Sequence, residues 1–183
     1  MGYRHTNEEM LEGALAAVLD EGLSRLTFGR LAKRLGISDR VIVYYFPTKD
    51  DLVAAVLAAV GAQLQEALAP VFVAPIDDHR DLVRRAWPVL AQPGVDPLFA
   101  LFFEAGGLAA AGVEPYRSLV PGLVQAWVEW AATLITGSSA HRQREAAAAI
   151  ATIDGLLLLR QLGGPAAADR AVRAIVGDTV RRA

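Results

Sequence analysis

The chain has 183 residues, enough for one domain of ordinary size or a small module joined to a larger one. Hydrophobic residues make up 54% and charged residues 21%, a balance that excludes an intrinsically disordered chain and favours extensive burial between helices. No cysteine is present, and His5, His79 and His141 lie too far apart in sequence for a local ligand cluster, so a disulfide scaffold is excluded and neither metal nor cofactor is expected.

The longest uncharged stretch, Leu52 to Gln65, spans 14 residues, short of the roughly 20 needed for a membrane-spanning helix. The first ten residues lack the apolar core of a signal peptide, although Gly2 to Thr6 fits the loose myristoylation pattern letter by letter. A soluble, cytoplasmic protein without a membrane partner is expected. Net charge is −2, yet between Gly22 and Lys49 six basic residues (Arg25, Arg30, Lys33, Arg34, Arg40 and Lys49) face one acid, Asp39. A local surplus of that kind inside a mildly acidic chain is an electrostatic footprint for an anionic partner.

Thr6 and Glu9 form a capping-box signature, and Met10, Ala14, Ala17 and Val18 follow at helical spacing, which predicts a first helix over 7–21. Thr27 can cap a second helix through Leu35, with Phe28, Leu31, Ala32 and Leu35 inward and Gly36 as its stop. Ser38 can cap a third over 39–46, closed by Pro47. Thr48 with Asp51 repeats the capping signal and opens a long Ala/Val/Leu helix to about 69. Beyond Pro75 no run alternates like a strand, and longer Ala-rich segments predict helices over 77–91, 97–111, 115–136, 141–162 and 166–182, with Pro88 bending the first. The fold class is therefore all-α with about nine helices. An N-terminal module of three short helices (1–47) is followed by a larger helical bundle (48–183).

Two short helices joined by a tight Gly-containing turn, with basic residues around the second, are the arrangement of a helix-turn-helix. Such a second helix fits the DNA major groove, where its N-terminal side chains reach base edges while nearby Lys, Arg and Tyr hold phosphates. Ile42 and Phe46, spaced i, i+4, should point inward, leaving Arg40, Val41 and Tyr44 outward. Arg30, Lys33 and Arg34 could equally be a solvated helix face. One of Tyr44 and Tyr45 should pack inward and at least one should reach phosphate, and Lys49 suits a phosphate contact at the start of the long helix.

The stretch Leu26-Thr27-Phe28, Leu31-Ala32-Lys33-Arg34-Leu35-Gly36-Ile37-Ser38 and Tyr44-Tyr45-Phe46-Pro47-Thr48-Lys49 resembles the TetR family of transcriptional regulators. The likeness covers residues 5–60 well. It implies a homodimer that binds palindromic operator DNA, usually as a repressor, and releases it when a small-molecule effector enters a pocket in the C-terminal bundle. Thr27, Ser38, Asp39, Arg40, Val41, Tyr44, Tyr45 and Lys49 are the candidate DNA-binding residues. Two positions depart from the family pattern: Val43 stands where Tyr is frequent, and Asp39 where a neutral or basic residue is commoner. That acid either caps its helix or accepts from a cytosine amino group.

In the C-terminal half, residues 145–160 are apolar around nearly the whole circumference of a helix, which must then be covered on every side. Packing on its own bundle and on a partner subunit satisfies this, with Ala147, Ala151 and Gly155 allowing close approach and Leu158, Val172 and Ile175 completing the expected dimer interface. Asp154-Gly155 followed by four leucines is similar to a loose pattern in the penultimate helix of such regulators. Trp87, Phe99, Phe102, Phe103 and Trp127 are candidate lining residues of a pocket for an apolar or amphipathic effector, with plain core packing as the alternative for each. Glu104 and Asp154 are carboxylates in apolar surroundings, which either face a ligand, pair with an arginine or cap a turn.

No phosphate-cradling glycine loop, Glu-x-x-His pair or nucleophile elbow occurs, so enzymatic function is not expected. The remaining alternative is a helical protein-interaction module without DNA binding.

Overall fold

The computed structural model describes residues 6–177. His5, the Gly2 pattern and the last residues of the final predicted helix lie outside them. Among the described residues there are nine α-helices, two short 3-10 turns and no strand; one isolated bridge joins Ile76 and Ile135.

Local signals set the first four helices. α1 (Asn7–Glu21) starts at the Thr6/Glu9 capping box, with Glu9 N donating to Thr6 Oγ1 at 3.1 Å and Thr6 N donating to Glu9 Oε2 at 2.9 Å. α2 (Phe28–Leu35) is capped by Thr27, whose hydroxyl accepts from Arg30 N, and ends at Gly36 with φ +67°, the left-handed position that glycine occupies without a Cβ clash. α3 (Asp39–Tyr45) stops before Pro47. α4 (Lys49–Leu68) opens on Thr48, whose amide and hydroxyl both donate to Asp51 Oδ2 while its hydroxyl accepts from Asp51 N. The later helices are α5 (His79–Leu90), α6 (Asp96–Ala110), α7 (Tyr116–Leu134), α8 (Ser139–Gly163) and α9 (Pro165–Val176). Pro88 and Pro121 lie inside α5 and α7.

Packing divides the chain into two compact units. The first comprises residues up to Leu64 together with Ala100–Val120. Its core holds Met10, Val18, Leu23, Leu31, Ile42, Leu52, Val53 and Val56, all at most 2% exposed; each fully buried side chain of this size contributes about 1.5–3 kcal/mol. α1, α2 and α3 pack on one another. Within this unit the Glu104 carboxylate accepts from the amides of Leu23 (2.9 Å) and Ser24 (3.1 Å), and the buried Tyr116 hydroxyl reaches Leu23 O at 3.5 Å. Gly22, at φ +85°, lies so close that a Cβ there would sit 3.1 Å from Glu104 Oε2.

The second unit comprises Gln65–Phe99 and the residues from Pro121 on. α8 packs on α5 and α9 through Leu82, Val83 and Ala86 on α5, Ala149, Ile153, Leu156 and Leu157 on α8, and Ala168 and Val172 on α9, all buried. Polar ties reinforce it: Arg160 holds Asp96 through Nε–Oδ1 at 2.7 Å and Nη2–Oδ2 at 3.1 Å, and Trp87 Nε1 donates to Asp169 at 3.0 Å.

By length and composition, the stretches Lys49–Val71 and Ser139–Gly163 would reach across a bilayer. The uncharged-run criterion understates them, because such a window tolerates one or two charges. Their apolar side chains Leu52, Val56, Val60, Leu64, Ile153 and Leu157 are nonetheless buried in the protein.

Candidate functional site

The helix-turn-helix is formed by α2, the turn through Gly36 and α3. Ile42 is 0% and Phe46 5% exposed, whereas Tyr44 is 80% exposed, and Arg40 is exposed beside a half-buried Val41. The 3.6-residue period thus turns one face of α3 into the core and leaves the other to solvent. Tyr45 is half-buried with its ring edge-on to Tyr44, the centroids 5.1 Å apart. Thr27, Ser38, Asp39 and Lys49 are all exposed. Two capping expectations are corrected here. Ser38 occupies the N-cap of α3 but its side chain makes no cap hydrogen bond, and the Asp39 carboxylate, at the first helical position, makes no hydrogen bond either. The backbone closes this turn by itself, with Val41 N donating to Ser38 O at 3.0 Å.

The charge surplus counted from Gly22 onward is smaller in space than in sequence. Arg30 pairs with Glu21 at 2.8 Å and Arg34 with Asp20 at 2.6 Å, both acids in the last turn of α1. Those acids lie at a helix C-terminus, where a cation is the favourable neighbour. Arg25, Lys33, Arg40 and Lys49 have no partner among the described residues.

The structure does not gather the expected effector residues into one unit. Phe102 and Phe103, half-buried with centroids 5.7 Å apart, belong with Glu104 to the first unit. Glu104 is a correction: both oxygens are occupied by the Leu23 and Ser24 amides, so it is a turn cap held by residues about 80 positions away. Trp87 is a second correction, a buried core residue whose indole N–H is used by Asp169. Phe99, also buried, Trp127 and Asp154 lie in the second unit. There Trp127 stands edge-on to Trp130 at 5.2 Å and Trp130 to Phe72 at 5.9 Å, an aromatic group to which Phe72 was not assigned by sequence. Asp154 is half-buried with no hydrogen-bond partner among the described residues.

Of the dimer candidates, Ala147, Ala151, Gly155, Leu158 and Ile175 are exposed, and a Cβ at Gly155 would meet nothing within 4 Å. Leu158 is 41% and Leu162 80% exposed, extending the stripe along α8. Val172 is a correction: it is 7% exposed and packs within its own chain.

The fold also brings His79 and His141 to one carboxylate despite their separation in sequence. His79 Nδ1 lies 2.6 Å and His141 Nδ1 4.0 Å from Glu145, yet no metal-capable cluster of three such groups forms among the described residues. Hydrogen bonds from the His79 side chain and backbone hold Glu145 down to about 2, whereas burial pushes Asp154 up to about 6. The signs oppose. Glu145 stabilises the fold above its ordinary value of 4.5 and loses that contribution as pH falls towards 2. Asp154 favours the fold below 3.8 and costs stability as pH rises through 6. Asp154→Asn should therefore raise the midpoint of thermal unfolding at pH 7, by up to about 3 kcal/mol in stability, with little gain at pH 3. Calorimetry at the two pH values checks this.

Residues 10–56 match the family model described as bacterial regulatory proteins, tetR family. The chain is 32% identical over 84 residues to the HTH-type transcriptional regulator BetI of Stenotrophomonas maltophilia, covering 45% of this chain and 43% of that protein. It is 35% identical over 88 residues to the nucleoid occlusion factor SlmA of Vibrio campbellii, covering 46% and 42%. The chain thus matches less than half the length of these curated relatives. A crystal structure titled as a putative TetR-family transcriptional regulator from Rhodococcus sp. shares the fold at a TM-score of 0.74 and 19% identity, over 92% of this chain and 94% of that one. Two further structures of the same fold are a putative transcriptional regulator from Saccharomonospora viridis in complex with choline (TM-score 0.65, 20% identity, 92% of each chain) and the multidrug binding protein EbrR complexed with imidazole (0.67, 21%, 95% and 91%). The matched segment holds α2, the Gly36 turn and α3 with their inward Leu31 and Ile42 and outward Arg40 and Tyr44, so this N-terminal part of the chain is similar to the DNA-binding region of the tetR family of bacterial regulatory proteins.

Proposed function

We propose that this chain is a cytoplasmic, ligand-responsive transcriptional repressor that binds palindromic operator DNA as a homodimer. The observation that carries the reading is the solvent face of α3, where Ser38, Arg40 and Tyr44 stand exposed, the first two without a side-chain hydrogen bond or ion pair, flanked by the unpaired Lys33 and Lys49. Residues 1–47 supply the DNA-binding part. Arg40 and Val41 read base edges, while Thr27, Ser38, Tyr44, Tyr45 and Lys49 fix the backbone. Residues 48–183 supply dimerisation and effector binding. The exposed apolar stripe of α8 with Ile175 is the surface that a second copy covers, and the aromatic group of Phe72, Trp127 and Trp130, with Asp154, supports an effector with an apolar part. Choline and imidazole in the two related structures support small-molecule binding in general.

An effector that binds better to a dimer whose recognition helices are spaced away from one DNA turn, about 34–36 Å, releases the operator. By linkage, DNA then lowers effector affinity by the same factor.

Genomic fragments retained by the purified protein, followed by gel shift, test the reading. Affinity should fall steeply with salt as neutralised phosphates release counterions. Lys49→Ala should weaken all sequences about equally and reduce the salt slope by about one, whereas Arg40→Ala should relax one base position at a cost of about 1–3 kcal/mol. Absence of duplex binding at low salt would overturn the proposal.

A further inference from the structure

Asp39 is the one acid among the candidate DNA-facing residues, and no hydrogen bond or ion pair of the fold engages its carboxylate. It is the first residue of α3, exposed, and forms neither a cap hydrogen bond nor an ion pair. Its carboxylate sits beside the first turn of α2 at a glycine: a Cβ on Gly29 would lie 3.8 Å from Asp39 Oδ2, so no side chain there covers it. The adjacent Arg40 cannot neutralise it across the helix surface, because residues i and i+1 do not face one another.

A carboxylate on this surface approaches the phosphates of a docked duplex, which repel it. Only a base-edge donor offsets that. In the major groove, guanine offers N7 and O6 and thymine offers O4, all acceptors that reject an ionised carboxylate. Cytosine offers its N4 amino group next to an apolar C5–H, whereas the amino group of adenine sits beside the acceptor N7. We propose that Asp39 is a specificity-determining residue that accepts a hydrogen bond from a cytosine amino group at one position of each half-site and rejects guanine and thymine there. The inference rests on the DNA-binding reading above. It adds a constraint that the cationic contacts do not supply, since phosphate contacts position the protein without reading sequence.

Selection from a random duplex pool by the full-length protein tests it, with wild type, Asp39→Asn and Asp39→Ala run in parallel. In wild type, one position per half-site should be cytosine, with guanine or thymine there weakening binding about tenfold, within the range of a single good base contact. Asp39→Ala should lose that one preference, to twofold or less, and keep the others, whereas Asp39→Asn, whose amide both donates and accepts, should shift it towards adenine. Because the side chain is exposed and unbonded, unchanged circular dichroism and thermal midpoint should accompany the loss. Variants that return the wild-type preference at every position, or that lose preference evenly at all positions, would overturn the role of Asp39 while leaving DNA binding intact. A wild-type protein that selects no sequence would overturn the DNA-binding reading itself.

Discussion

Leu158→Asp is expected to convert a dimer at micromolar concentration into a folded monomer with little operator affinity. Leu158 is 41% exposed in the single chain and lies on the same strip of α8 as Ala147, Ala151, Gly155 and Leu162. The substitution therefore leaves the chain's own core of Ile153, Leu156 and Leu157 untouched. In a twofold interface the same residue recurs on both subunits, so two carboxylates would have to be desolvated near each other, a cost of several kcal/mol. Sedimentation of wild type and variant, with circular dichroism to confirm the helical fold, reads the outcome. A wild-type chain that already sediments as a monomer would remove the interface from the proposal.

The second large effect is expected inside one chain. Arg160→Ala should destabilise the second unit by about 2–3 kcal/mol, through loss of charge-assisted hydrogen bonds and of the packing of a buried side chain, while the remaining Asp96 carboxylate, 37% exposed, can be solvated. The Arg160 side chain is only 6% exposed and makes two hydrogen bonds to Asp96, in the first turn of α6. For a chain of this size each kcal/mol corresponds to about 2–4 °C in the unfolding midpoint, so the loss is readily seen by calorimetry. Arg160→Met should cost less than Arg160→Ala, because an unbranched apolar side chain refills most of the buried space that alanine leaves empty.

What was legible in the sequence follows from how local each signal is. Helix starts read well, because a cap and its amide lie three residues apart, as at Thr6/Glu9 and Thr48/Asp51. The inward Ile42 and outward Tyr44 followed from helical period alone. Polar partners far apart in the chain left no such trace: Glu104 with Leu23, and Trp87 with Asp169, meet only in the fold. The charge count failed for a related reason, since Asp20 and Glu21 fall just before the counted window yet pair with Arg34 and Arg30 within it. Apolar spacing also cannot say which chain covers an apolar residue. Val172 and Ile175 share a helix, and one is buried while the other is exposed.

The Glu104 cap also bears on the order in which this protein can mature on a ribosome. The N-terminal helices emerge first, but the carboxylate that satisfies the Leu23 and Ser24 amides, and the Tyr116 hydroxyl near Leu23 O, are translated some 80–93 residues later. Until the chain has grown through Val120, the first unit lacks part of its own packing, and at roughly 5–20 residues per second that interval lasts several seconds. The nascent helix-turn-helix therefore spends its first seconds without these contacts, so acquisition of its full stability is tied to translation of α6 and the start of α7.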